Sequence, residues 1–120
     1  KLNAACEEIN KKINGLIQVN VSSEETKSGC DPKEMLGLAS IIESSSHINL
    51  RGIMALPDIN AELTERNLQM NRVNELSQQL KSKFPNAKEI SLGTTNDFED
   101  AIAHGSSMVR IGSSIFGERV

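Results

Sequence analysis

The sequence predicts an α/β protein with a parallel sheet, part of a larger (β/α)8 barrel rather than a self-sufficient fold, on three observations. Short apolar runs of strand type alternate repeatedly with longer stretches whose apolar residues recur at helical spacing. About four such βα units can be counted, opening on a helix and closing where another helix is due. The 120 residues leave room for one domain only and exclude a complete barrel, which needs roughly 200 residues or more.

Each element has a local reason. Leu2 to Ile13 is helix-like, and after Asn14-Gly15 the run Leu16 to Val21 reads as a strand with Ile17, Val19 and Val21 on one face. Ser22 to Cys30 is a polar loop. In Asp31-Pro32-Lys33-Glu34, Asp can accept orphan N–H groups, Pro suits the first helical position and Glu lies three residues after the cap. Met35, Leu36, Leu38, Ala39, Ile41 and Ile42 are the expected buried face of that helix, which Ser44-Ser45-Ser46 ends. Ile48 to Leu56 is the second strand, stopped by Pro57, which has no N–H for a ladder. From Ala61 to Phe84, Leu63, Met70, Val73, Leu76 and Leu80 recur largely at three- and four-residue steps, predicting the longest helix. Glu89 to Leu92 is the third strand, and Gly93 to Asn96 a turn into a helix that Asn96 and Glu99 could cap and Gly105 could stop. Met108 to Ile111 is the fourth strand, and Gly112 to Gly117 a tight turn starting another helical turn.

Composition removes several function classes. With 13 Lys plus Arg against 16 Asp plus Glu the formal charge is −3, and no basic cluster is interleaved with aromatic residues, so nucleic-acid binding is not expected. No apolar run reaches the roughly 18–20 residues of a membrane span, and Lys1-Leu2-Asn3 does not read as a signal peptide, so the expected compartment is cytoplasmic. Cys6 and Cys30 have no C-x-x-C partner and no His at metal spacing, which reads as two reduced thiols and no metal site.

Two segments carry candidate chemistry, Ser91-Leu92-Gly93-Thr94-Thr95-Asn96-Asp97 and Met108-Val109-Arg110-Ile111-Gly112-Ser113-Ser114. Each puts Gly and hydroxyl residues at the C-terminal end of a strand, where backbone N–H groups are unpaired and a phosphate can approach the chain. Thr95, Ser113 and Ser114 would add hydroxyl donors; the other reading is that these hydroxyls only cap their helices. Arg110 interrupts an apolar strand, and alternation places it on one face with Met108 and Gly112. It can neutralise an anion or donate to a ring nitrogen but cannot act as a proton-transfer base, and a barrel-end ion pair is its alternative. Lys27 sits among acidic neighbours in a solvated loop. His104 reads as a helix C-terminal cation and His47 has no partner at ligand spacing, so these three read as structural. Met54 would either face a planar ligand or pack in the barrel.

At these residues the chain closely resembles the pyridoxal phosphate homeostasis protein family, small (β/α)8 barrels related to the alanine racemase N-terminal barrel. The resemblance runs through Gly15 to Ser22, Glu24 to Gly29, Leu50 to Met54, Ser91-Leu92-Gly93 and Met108 to Gly117, nearly the whole chain, and is most specific in the last segment. It implies one partial domain over residues 1–120, the C-terminal half of such a (β/α)8 barrel, running from the helix after the fourth barrel strand through the eighth strand. It implies pyridoxal 5′-phosphate as cofactor and a role in its intracellular supply without established catalytic activity, with PLP-dependent apoenzymes as possible partners. Position by position, Thr95 matches a serine that contacts the phosphate, Gly112 and Ser113 the second phosphate-binding turn, and Arg110 the arginine near the pyridine nitrogen. Gly93-Thr94-Thr95 stands where the family usually has Gly-Met-Ser, keeping a hydroxyl and losing the methionine. The family's Schiff-base lysine lies in an Ala-Val-Ser-Lys-like motif that this sequence does not contain. Two other readings are an enzyme of the alanine racemase type, and a non-binding assembly module; an isolated half-barrel is expected to associate through its open sheet edges.

Overall fold

A computed structural model describes residues 1–22, 28–58 and 60–117. The elements in chain order are α1 (Leu2–Glu8), β1 (Ile13–Gln18), α2 (Met35–Glu43), β2 (Ile48–Met54), α3 (Leu63–Lys83), β3 (Glu89–Thr94), α4 (Phe98–Ala103), β4 (Met108–Arg110) and α5 (Ser113–Phe116). The strands form one four-stranded sheet in the order β1-β2-β3-β4, parallel throughout. This is the expected half of a (β/α)8 barrel.

The helices bury one face of the sheet. Ile17, Val19, Leu50, Ile53, Ile90 and Leu92 meet Met35 and Ala39 of α2, Met70, Val73, Leu76 and Leu80 of α3, and Ala101 of α4. The opposite face is open, with a concavity of about 350 Å³ lined by Asn14, Leu16, Arg51, Glu89 and Met108. A bulge shapes this division: Gly15 pairs with Leu50 but Leu16 with Gly52, so Arg51 is an extra residue and both Leu50 and Ile53 reach the helical core. Gly52 follows the bulge at φ +153°, and a Cβ there would fall on the carbonyl oxygen of Glu89. Only glycine lets β2 approach β3 so closely.

Several element boundaries differ from the sequence expectation. Helix α1 ends at Glu8, with the turn made by Asn10 at φ 52°, so Asn14-Gly15 lies inside β1 rather than before it. Beyond Gln18 the predicted first strand leaves the regular ladder; Val19 makes an isolated bridge to Cys30. Asp31 accepts from the Lys33 N–H at 2.9 Å as its position suggested, but the chain passes through a 3-10 turn, Pro32–Glu34, before α2. Leu38, Ile41 and Leu63 are exposed rather than buried, because the stripes of α2 and α3 that touch the sheet are narrower than the runs of apolar residues. Strand β2 stops at Met54, β3 continues to Thr94, and β4 stops at Arg110.

The α4–β4 connection is tightly organised. Gly105, at φ +95°, donates its N–H to the Ile102 carbonyl at 3.1 Å, and Ser106 donates to that of Ala101 at 3.0 Å, the paired bonds of a Schellman stop. The Ser106 hydroxyl then bonds the Leu92 carbonyl at 2.6 Å, and the Ser107 hydroxyl accepts from the Ile90 N–H at 2.8 Å. These hydroxyls tie the start of β4 to β3.

Gly52→Ala is expected to lower unfolding stability by about 3 kcal/mol, through overpacking and backbone strain together, read as a fall in the urea midpoint at fixed protein concentration. The β1 and β4 edges carry no further strand among the described residues, and Ile115 and Phe116 beside β4 are 68% and 86% exposed. At micromolar concentration sedimentation velocity is expected to show species larger than a monomer; a single monomeric boundary would contradict this.

Candidate functional site

The C-terminal ends of β2, β3 and β4 lie side by side, with Met54 in register with Ser91 and Thr94 with Arg110. A register shift in the β3–β4 pair, between Ser91 and Thr94, brings Arg110 level with the last residue of β3.

From there the guanidinium crosses β3. Arg110 Nη2 donates to the carbonyl oxygen of Ala55, just past β2, at 2.8 Å. Strands two apart in a sheet are separated by roughly 9–10 Å, a gap that only a long side chain bridges. Among the described residues the direct partner is therefore a carbonyl, not the carboxylate of an ion pair. Its Nε is buried and makes no hydrogen bond among the described residues. Burial pulls the guanidinium below its ordinary pKa range, and the charge of Asp97 acts in the opposite direction; an arginine stays protonated in water under either influence.

The loop after β3 is closed by Asp97. Its Oδ1 accepts from the Thr94 N–H at 2.7 Å and from Thr94 Oγ1 at 3.1 Å, while the Asp97 N–H donates to the Thr94 carbonyl at 3.2 Å. Asp97 occupies the N-cap position of α4 yet makes no forward capping bond. The expected Asn96–Glu99 capping pair therefore does not organise this helix start, because Asp97 rather than Asn96 is the residue before its first turn.

Inside this closed turn, Thr95 Oγ1 accepts from the Gly112 N–H at 3.3 Å, joining the loops after β3 and β4. At Gly112 a Cβ would meet nothing within 4 Å. Packing within the described residues does not require glycine at this position. Gly93 differs: at φ +105° its Cβ would lie 2.6 Å from that of Ala101, so it is needed to seat α4 on β3. Ser113 and Ser114 open α5 and are exposed, and the first N–H groups of any helix lack intrahelical acceptors. Met54 is half-buried, alternates with the fully buried Ile53, and immediately precedes the Ala55 that holds Arg110. Met54, Thr95, Arg110, Gly112 and Ser113 thus gather at one end of the sheet.

The remaining candidates fall elsewhere. Lys27 lies outside the described residues. His104 Nδ1 is 2.7 Å from the Asp100 carbonyl, which can only accept, so the ring donates there, and Asn74 donates to the His104 carbonyl at 2.9 Å, linking α3 to α4. His47 contacts the Ser46 hydroxyl through Nδ1. Cys6 and Cys30 are free thiols, and burial, then Glu34, push that of Cys30 up, with a backbone hydrogen bond opposing and Asp31 adding to the rise. Among the described residues no His, Cys, Asp and Glu side chains cluster as a metal site, and no helix is long and apolar enough to cross a membrane. A concavity of about 670 Å³ between α3 and α4, lined by Leu68, Arg72 and His104 among others, is remote from the strand ends. Asp97 and the Ala55 carbonyl were not singled out from sequence. Asp97 had a signal, an aspartate directly before Phe98 and three residues after a threonine; a backbone acceptor has none.

A half-barrel of parallel βα units with a polar, arginine-bearing rim at the C-terminal strand ends is the ligand-binding architecture of (β/α)8 proteins. Within that class, the chain belongs to the family of the alanine racemase N-terminal domain, which matches residues 1–120. It is 47% identical over 109 residues to the pyridoxal phosphate homeostasis protein of Haemophilus influenzae, covering 89% of this chain and 46% of that protein. It is 39% identical over 107 residues to the protein of the same name from Escherichia coli K12, covering 89% and 46%. The chain spans about half the length of the curated relatives it matches. Among solved structures, an unknown protein from Bifidobacterium adolescentis superposes with a TM-score of 0.90 at 29% identity, covering 96% of this chain and 47% of that one. PipY of Synechococcus elongatus with PLP bound gives 0.82 at 19% identity, covering 97% and 54%. Alanine racemase from Corynebacterium glutamicum gives 0.64 at 18% identity, covering 91% and 31%. The last two likenesses concern the fold.

Arg110→Ala removes a charge-assisted bond to a carbonyl and leaves that carbonyl exposed to water or unpaired, for an expected loss of about 1–2 kcal/mol. Urea unfolding of the two proteins at equal concentration measures it, and an unchanged midpoint would show that the bond is not formed in solution.

Proposed function

We propose that the protein binds pyridoxal 5′-phosphate and serves its intracellular supply, this chain contributing the C-terminal half of the cofactor barrel. Thr95, Gly112 and Ser113 hold the phosphate, Arg110 faces the ring nitrogen, and Met54 packs against the ring. The observation that carries this reading is Gly112: a glycine with open space where a Cβ would sit, its N–H resting on the Thr95 hydroxyl. A glycine that local packing does not require is what a backbone offers where an anion must come close. At the same rim the buried Nε of Arg110 has no hydrogen-bond partner among the described residues. The names of the curated relatives and the PLP-bound PipY support the same cofactor.

When bound, the cofactor supplies an electrophilic carbon and an electron-withdrawing ring. The residues here hold that ring more than they activate it. A guanidinium donates to the ring nitrogen and disfavours its protonation, which weakens the electron-sink behaviour many transformations use. The sequence has no tyrosine, so it offers no phenol for proton transfer of the alanine racemase kind. This chemistry favours binding and delivery to PLP-dependent apoenzymes over turnover.

Titration of the chain with inorganic phosphate and with pyridoxal 5′-phosphate, followed through the Gly112 and Ser113 amide resonances, tests the reading. Gly112→Val fills the open space and is expected to weaken both ligands roughly tenfold, equivalent to about 1.4 kcal/mol, with little change in melting temperature. Undiminished binding by Gly112→Val, or no response of these amides in the unmutated chain, would overturn it.

A further inference from the structure

We propose that Asp97 is a positioning residue for this rim: through Thr94 it holds Thr95 against Gly112, and its charge limits how strongly the rim attracts a free anion. The second half of this statement rests on the function proposed above. Asp97 is 5% exposed, and a carboxylate in such a place is costly unless something compensates it. Neither a helix cap nor a salt bridge does so, since Asp97 makes no capping bond to α4 and, among the described residues, is in no direct ion pair. Both bonds to its Oδ1 come from Thr94, the residue before the phosphate-side hydroxyl. With the return bond from the Asp97 N–H to the Thr94 carbonyl, the carboxylate closes a four-residue turn in which Thr95 is the second residue. The position of Thr95 Oγ1, and hence the bond that joins the two loops, is set by this clamp.

The charge has a separate consequence. Arg110 is the cation of the rim, and Asp97 is the carboxylate whose field acts on it. With both present, the charge of Asp97 offsets that of Arg110. A small dianion in free solution is then attracted less than Arg110 alone would attract it, and a ligand that also contacts the ring-side residues gains relative to bare phosphate.

Asparagine and alanine separate these roles, because Asp97→Asn keeps an Oδ1 acceptor for Thr94 and removes the charge, whereas Asp97→Ala removes both. In the ligand-free 120-residue chain, Asp97→Ala is expected to shift the amide resonances of Thr94 and Gly112 and to speed hydrogen exchange at Gly112, with Asp97→Asn preserving the slow exchange. Toward inorganic phosphate, Asp97→Asn is expected to bind at least roughly threefold tighter and Asp97→Ala at least roughly threefold weaker, a divergence that simple destabilisation does not produce. A Gly112 amide indifferent to Asp97→Ala, or phosphate bound more tightly by Asp97→Ala, would overturn the positioning role, and phosphate binding left unchanged or weakened by Asp97→Asn would overturn the charge role. If Asp97→Ala does not fold, Asp97→Asn still decides, since unchanged or weaker phosphate binding contradicts the proposal. Failure of the unmutated chain to bind phosphate would instead sink the cofactor reading and with it the charge role, leaving the positioning role to the ligand-free comparison.

Discussion

The close approach of β2 to β3 at Gly52 is the constraint on which the rest of the structure depends. A side chain there would strike the Glu89 carbonyl, so the sheet closes at this point only because glycine is present. The bulge just before it turns both Leu50 and Ile53 toward the helices. Downstream, the same pairing lets the Ala55 N–H reach the Ser91 carbonyl at 3.2 Å, which fixes the carbonyl of Ala55 as a landing point for Arg110. A backbone contact near the N-terminal end of β3 thereby determines where a cation sits at the opposite end.

The rim is built from groups that restrain one another. Arg110 is tied to a backbone carbonyl while its buried Nε has no partner among the described residues, Thr95 is tied to Gly112, and Asp97 is tied to Thr94. Such cross-links cost little when formed and much when half removed, because a buried polar group that loses its partner keeps its desolvation penalty. In the function proposed above, such cross-links would limit the rearrangement needed when a ligand arrives.

Much of this was legible in the sequence, for identifiable reasons. The alternation of β and α elements was readable because each has its own period, and Gly105 and Asp31 marked a helix stop and a helix start by residue chemistry alone. Gathering of Thr95, Arg110, Gly112 and Ser113 followed from their shared place after consecutive strands. Asn14-Gly15 misled because an Asn-Gly pair favours turns, whereas the actual turn uses Asn10 in a left-handed conformation. The exposure of Ile41 and Leu63 was not readable, since periodicity gives a face but not the width of the surface it meets. Asp97 was overlooked because its bonds run backward, against the direction in which a helix cap is sought.

Strand β4 has only three residues, and the Ser106 and Ser107 hydroxyls fasten its start to β3. The Arg110 bond to Ala55, by contrast, closes a separation of 55 residues. Contacts so distant along a chain form late, after local turns and neighbouring strands are in place. The serine tether can form as soon as β3 and α4 have folded, holding β4 alongside until the distant contact is made. Order therefore spreads from the base of β4 toward its tip, and opening runs the other way, so the arginine-bearing end can loosen and re-close while the strand stays attached.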